Sequence, residues 1–133
     1  MIMNNALELF IKEHQKNNEK SQSFVDYLYA LMDKYKITNP SDIYNKVLIS
    51  RQLWSSIISE KSAPSLNVCI RIALGMHLTN HECKYLLKKA GYTLSSANRF
   101  ALIIRYAIEN KIFDIYEVND LLIQHGCEDS TLI

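Results

Sequence analysis

Glycine and proline are scarce here. Three and two of them among 133 residues leave little material for the turns of an all-β chain. The three cysteines, Cys69, Cys83 and Cys127, are odd in number and widely spaced, so no disulfide framework is implied and a reducing cytoplasm is the expected setting. No run approaches the roughly 18 to 20 apolar residues of a membrane span, so no membrane partner is expected. The start, "MIMNNALELFIKEHQK", has neither the basic leader nor the long apolar stretch of a signal peptide. Charge of one sign is missing too: fifteen basic against fourteen acidic residues give a net +1. A dedicated nucleic-acid binder is usually more basic, so any DNA affinity must come from local clustering.

Reactive constellations are equally sparse. No glycine-rich phosphate loop occurs. His77, His81 and Cys83 straddle Thr79, which starts a helix, so they do not share an i, i+4 face. The other candidates for a four-ligand zinc site, His125 and Cys127, are far off in sequence. His125 and Cys127 flank Gly126 in a turn, with no base-and-orienter arrangement around the thiol. Neither a metal nor a cofactor is expected, and the chain does not read as an enzyme.

What the sequence does have is helical periodicity almost throughout, and with it an all-α fold in one domain, 1–133. Eight segments are expected, counting the N-terminal one. The first, near 4–15, puts Leu7, Phe10 and Ile11 on one side, and "KNNEKSQ" follows as a polar connector. The second, about 23–35, buries Phe24, Leu28, Leu31 and Met32. In "NPSD", Asn39 caps the third, Pro40 suits its first position, and Asp42 favours its positive end. Ser50 starts the fourth, with Trp54 and Ile57 inward. "APSL" opens the fifth, with Val68, Ile72 and either Leu74 or Met76 inward. Thr79 and Glu82 form a capping box for the sixth, which Gly91 ends. Ser95 or Ser96 starts the seventh, with a stripe of Phe100, Ile103, Ile104 and Ala107. Asp114 and Glu117 form a second box for the last, which carries Val118, Leu121 and Leu122 and ends at Gly126. Tyr27, Tyr35 and Tyr44 belong to the core or its rim. Lys84, Lys88 and Lys89 in "KYLLKKAG" make a small basic patch, a solvated face or a phosphate contact.

The stretch "SDIYNKVLISRQLWSSIISEKSAPSLNVCIRIALGMHL" carries the functional signal. Two short helices crossing steeply need an apolar clasp, supplied by Ile43, Val47, Ile49, Trp54 and Ile57, and Ser50 satisfies free N–H groups at the second helix. In these residues the chain resembles the phage-repressor (Cro-like, XRE-type) helix-turn-helix family. Ile43 stands at the family's Leu, Ile49 at its Val, Ser50 at its capping Ser, and Trp54 and Ile57 at its two inward Ile positions. The likeness covers about 55 residues, Phe24 to Leu78. It implies a repressor-like bundle of about five helices over 19–78, with further helices before it and a helical extension over 79–126.

The resemblance also implies double-stranded DNA as partner. Carried over by position, Arg51, Gln52, Ser55, Ser56 and Ser59 reach base edges, while Lys46, Lys61 and Ser62 hold phosphate. Arg51 suits guanine and Gln52 adenine. Three residues depart from the pattern. Pro40 replaces a DNA-contacting Gln, Tyr44 a small Ala at the helix crossing, and Leu48 the turn Gly, where a left-handed backbone costs on the order of 1 kcal/mol. Leu53 and Ile58 also stand where polar residues are usual, which suits packing under the terminal helices or against a protein partner. Two functions follow: a cytoplasmic DNA-binding regulator, expected to be dimeric, or a protein-interaction module on the same scaffold. Phe100, Ile103, Ile104 and Tyr106 either cover the core or form the face through which copies dimerise.

Overall fold

The computed structural model describes the backbone of residues 5–17 and 22–133 and the side chains of 5–13 and 22–133. Every α or strand element among them is helical: α1 (Asn5–Asn17), α2 (Phe24–Lys34), α3 (Ser41–Tyr44), α4 (Arg51–Ile58), α5 (Leu66–Gly75), α6 (Asn80–Lys89), α7 (Arg99–Glu109) and α8 (Ile115–Gln124), then a 3-10 turn at Glu128–Ser130. The chain is all-α. Residues 1–4 and 18–21, which include most of the expected connector and the start of the expected 19–78 unit, lie outside the described residues. Lys16 and Asn17, assigned to the connector from sequence, belong to α1.

The helix starts follow the capping logic, with two corrections. Ser23, Ser50 and Ser65 each accept an N–H from the third residue on, and Thr79 with Glu82 forms the reciprocal box. Asn39 Oδ1 takes the Ser41 N–H and hydroxyl ahead of α3, with Pro40 already helical. α7, however, starts at Arg99 rather than at Ser95 or Ser96. Asn98 supplies its cap, while Ser95 closes only a local turn onto Ala97. Asp114 caps α8 alone, accepting from Tyr116 and Glu117 N–H; the return bond that would complete a box is not made.

The helix ends show how a glycine-poor chain turns. From α2 to α8 each helix closes with a left-handed residue followed by a six-residue N–H···O bond, as in Ile37→Met32, Ile49→Tyr44, Leu78→Ala73 and Ile112→Ala107. Glycine serves at Gly91 and Gly126, but Lys36, Leu48, Glu60, His77 and Lys111 adopt φ between 56° and 62° without it. The residue after the turn is mostly apolar: Ile37, Ile49, Leu78 and Ile112 fold back onto the core. The third glycine has another task. A Cβ on Gly75 would sit 3.0 Å from Val47 Cγ1 and 3.3 Å from Ile43 Cγ2, so α5 and α3 approach closely there.

One buried cluster runs from Phe24 to Leu132 and takes residues from every helix from α2 to α8. α5 is its axis, with Val68, Cys69, Ile70, Ile72, Ala73 and Leu74 all buried; Leu74 and Met76 are both inward. It packs on α3 and α6, α6 packs on α2 and α7, and α7 packs on α8. Leu7, Phe10 and Ile11 of α1 remain exposed. A polar tie fastens α2 to α6: Lys34 Nζ donates to Glu82 Oε2 at 2.6 Å, while Tyr35 Oη and the Thr79 N–H donate to Oε1. Glu82 is the one buried charge among the described residues. Desolvation pushes its carboxyl pKa up, but the bonds from Lys34, Thr79 and Tyr35 outweigh it and bring the value down to about 2.

Candidate nucleic-acid interface

The apolar clasp assembles as the spacing requires. Ile43, Val47, Ile49, Trp54 and Ile57 are all buried, and α3 packs on both α4 and α5. Tyr44, too large for a close crossing, lies half-buried with its ring 5.6 Å from that of Trp54 and tilted by 37°. Leu53 and Ile58, also half-buried, rest against the chain's own core.

Between the two helices Leu48 carries the left-handed conformation, φ 57°, with its side chain half exposed. Leucine disfavours this geometry, and Arg71 of α5 holds it in place. Its Nε donates to Val47 O at 2.9 Å and its Nη2 to Leu48 O at 2.6 Å. Asn67, one turn earlier on α5, accepts from Arg71 Nη1 and donates to the Thr131 and Leu132 carbonyls. Asn119 of α8 accepts the Leu132 and Ile133 N–H groups. A polar chain thus runs from the α3–α4 turn to the last residues. Burial lowers the Arg71 pKa, yet a guanidinium keeps its charge at neutral pH. Sequence reasoning passed over Asn67 and Arg71, although they are isolated polar residues at i, i+4 on an otherwise apolar helix.

Ser50 Oγ accepts the Leu53 N–H at 3.0 Å and fixes the start of α4. Arg51, Ser55 and Ser59 form one exposed stripe along α4, with exposed Gln52 beside it. Ser56 is different: it is half-buried, and its hydroxyl bonds that of Ser62 at 2.7 Å, which closes the turn after α4. Lys46 in the turn before α4 and Lys61 in the turn after it are both exposed. Lys46 also lies near His77, whose ring stacks on Phe113 with centroids 4.3 Å apart. Partial burial first, and Lys46 second, lower the His77 pKa and favour its neutral ring.

The other reactive candidates remain apart. His81 lies beside Tyr85, and Cys83 is buried on the inner face of α6. Burial pushes the Cys69 and Cys83 thiols up to about 12. No group of three metal-binding side chains gathers among the described residues. No helix among them is long and apolar enough to cross a membrane. The expected face of α7 divides: Ile104 enters the core, Phe100 and Ile103 are half-buried, and Tyr106 stands outside with Leu102. Comparison of the chain with protein families, with characterised proteins and with solved structures finds no match.

Proposed function

We propose that this chain is a sequence-specific DNA-binding regulator of the phage-repressor helix-turn-helix kind, in which α4 enters the major groove. One observation carries the reading. A short helix with a fixed, capped start presents Arg51, Gln52, Ser55 and Ser59 on an open face, while its other face is locked into the core by Trp54 and Ile57. Rigid placement of a few side chains with base-pairing chemistry is what groove reading demands. Arg51 and Gln52 contact bases; Lys46 and Lys61 hold backbone phosphates on either side. Ser56 and Ser62, bonded to each other, shape the end of α4 rather than touch DNA.

With a net charge of +1, one copy binds weakly, and a two-fold dimer on paired half-sites supplies the rest. The exposed Leu102 and Tyr106 on α7, beside a 390 Å³ hollow that Leu121 also lines, are the surface through which the copies meet. Such a regulator works in the cytoplasm, where its free cysteines stay reduced.

The exposed Leu48 at the tip of the turn favours a second reading, a protein-interaction module on the same scaffold. Leu53 and Ile58 ask less of such a partner, since both already rest on the core. Selection from a random duplex library, followed by gel shifts at two salt concentrations, separates the two. Enrichment of a paired site with salt-dependent affinity supports the regulator; no enrichment supports the module.

A further inference from the structure

On another side of the molecule, α6, α7 and the 92–98 segment between them enclose a groove of about 610 Å³. Its size falls within the range of small-molecule sites. The floor is apolar and firmly built: Cys83, Leu87, Ala101 and Ile104 are all buried. The walls are anchored by two long-range bonds. Asn80 Nδ2 donates to Arg105 O, joining the start of α6 to α7, and Tyr92 Oη donates to Pro64 O.

The charged residues that line this groove are of one sign. Lys84, Lys88 and Arg105 contribute to its lining, and no acidic residue among the described ones does. In a chain with nearly equal numbers of acids and bases, that is a local separation of charge. Among the described residues Lys84 and Lys88 make no ion pair, and Arg105 meets Glu109 at 3.9 Å, with both side chains more than half exposed. The helix-face explanation of this basic patch leaves the apolar floor beneath it unaccounted for.

From this combination we infer that the α6–α7 groove binds a small organic anion with an apolar body, an aryl or short acyl acid. The body lies on Leu87, Ala101 and Ile104, and the anionic head meets Lys84 and Lys88 at the rim, since Arg105 already meets Glu109. A DNA backbone fits less well, because it offers a row of charges and nothing to fill a buried apolar floor. This inference does not depend on the DNA reading.

The test is an amide NMR titration of the full chain with two probes of one shape, 2-naphthoate and the neutral 2-naphthalenemethanol. The expected result is saturable binding of naphthoate with shifts concentrated in α6, residues 92–98 and α7, and affinity at least fivefold above that of the alcohol. In the double variant Lys84→Gln, Lys88→Gln, naphthoate affinity falls at least fivefold and that of the alcohol is unchanged. Both lysines are exposed, and an unchanged melting temperature checks that the variant is folded. Equal affinity for the two probes, shifts centred on Leu102 and Tyr106 instead, or indifference of naphthoate to the double variant would overturn the inference. So would a double variant that loses only DNA affinity while naphthoate fails to bind.

Discussion

Arg71 and Leu48 are joined by a 2.6 Å bond from the guanidinium Nη2 to the backbone carbonyl, across the turn that sets the angle between α3 and α4. The relationship explains how a leucine holds a position suited to glycine. The left-handed backbone costs about 1 kcal/mol, and two charge-assisted bonds to the turn offset it. Two substitutions therefore act in opposite directions. Leu48→Gly relieves the strain and should raise stability by roughly 0.5 to 1 kcal/mol, since little of the exposed side chain's burial is lost. Arg71→Met leaves the turn carbonyls unheld and should cost about 1 to 3 kcal/mol. Urea unfolding measures both; the same sign for the two would refute the clamp.

Trp54 secures the opposite side of the same crossing, 6% exposed and paired with Tyr44. Trp54→Ala should cost about 3 to 5 kcal/mol in denaturant unfolding. A loss under about 1 kcal/mol would mean that Trp54 is not part of the clasp holding α4.

Much of this was legible in the sequence, for a specific reason. Inward residues at spacings of three and four, Ser and Thr caps, and Pro40 after Asn39 are local signals, and they placed α2 to α6 closely. Asp114 was legible as the cap of α8, with only the return bond from Glu117 missing, whereas the start of α7 was read less well. Ser95, Ser96 and Asn98 all have capping chemistry, and only the fold decides that Asn98 does the work. The helix ends were legible at Gly91 and Gly126 and hidden at Lys36, Glu60, His77 and Lys111, where left-handed turns occur without glycine. The ties from Arg71 to the turn and from Lys34 and Tyr35 to Glu82 join residues more than twenty positions apart, beyond any local pattern.

The Glu82 tie has a pH signature. A carboxyl pKa of about 2 in the folded chain lies below the ordinary 4.5, so the folded state holds the carboxylate more strongly than the unfolded chain does. Its stabilisation is complete above about pH 4.5 and is lost as pH falls toward 2. The Lys34 head stands in water, which limits the effect to about 1 to 3 kcal/mol. Glu82→Gln should accordingly be less stable than the parent at pH 7, with the gap narrowing by that amount near pH 2. Parallel stability curves for the two proteins across this range would contradict the assignment.

Phosphate and base contacts leave different traces in binding data. Exposed Lys61 is assigned to the backbone, so Lys61→Ala should weaken specific and random duplexes alike. It should also reduce the slope of log affinity against log salt by about one unit. A loss confined to one sequence would move Lys61 to the base-reading set.

The most direct measurement is the affinity of Arg51→Ala and the parent for the selected duplex and for its single-base variants, at fixed salt. Arg51 is exposed in the first turn of α4, immediately after the Ser50 cap. If α4 reads the groove, the substitution should cost about 1 to 3 kcal/mol on the selected site and erase the preference at one base pair. It should leave random-sequence binding nearly unchanged beyond the loss of one charge. An Arg51→Ala protein that binds the selected site and all its variants as the parent does would contradict DNA reading by α4.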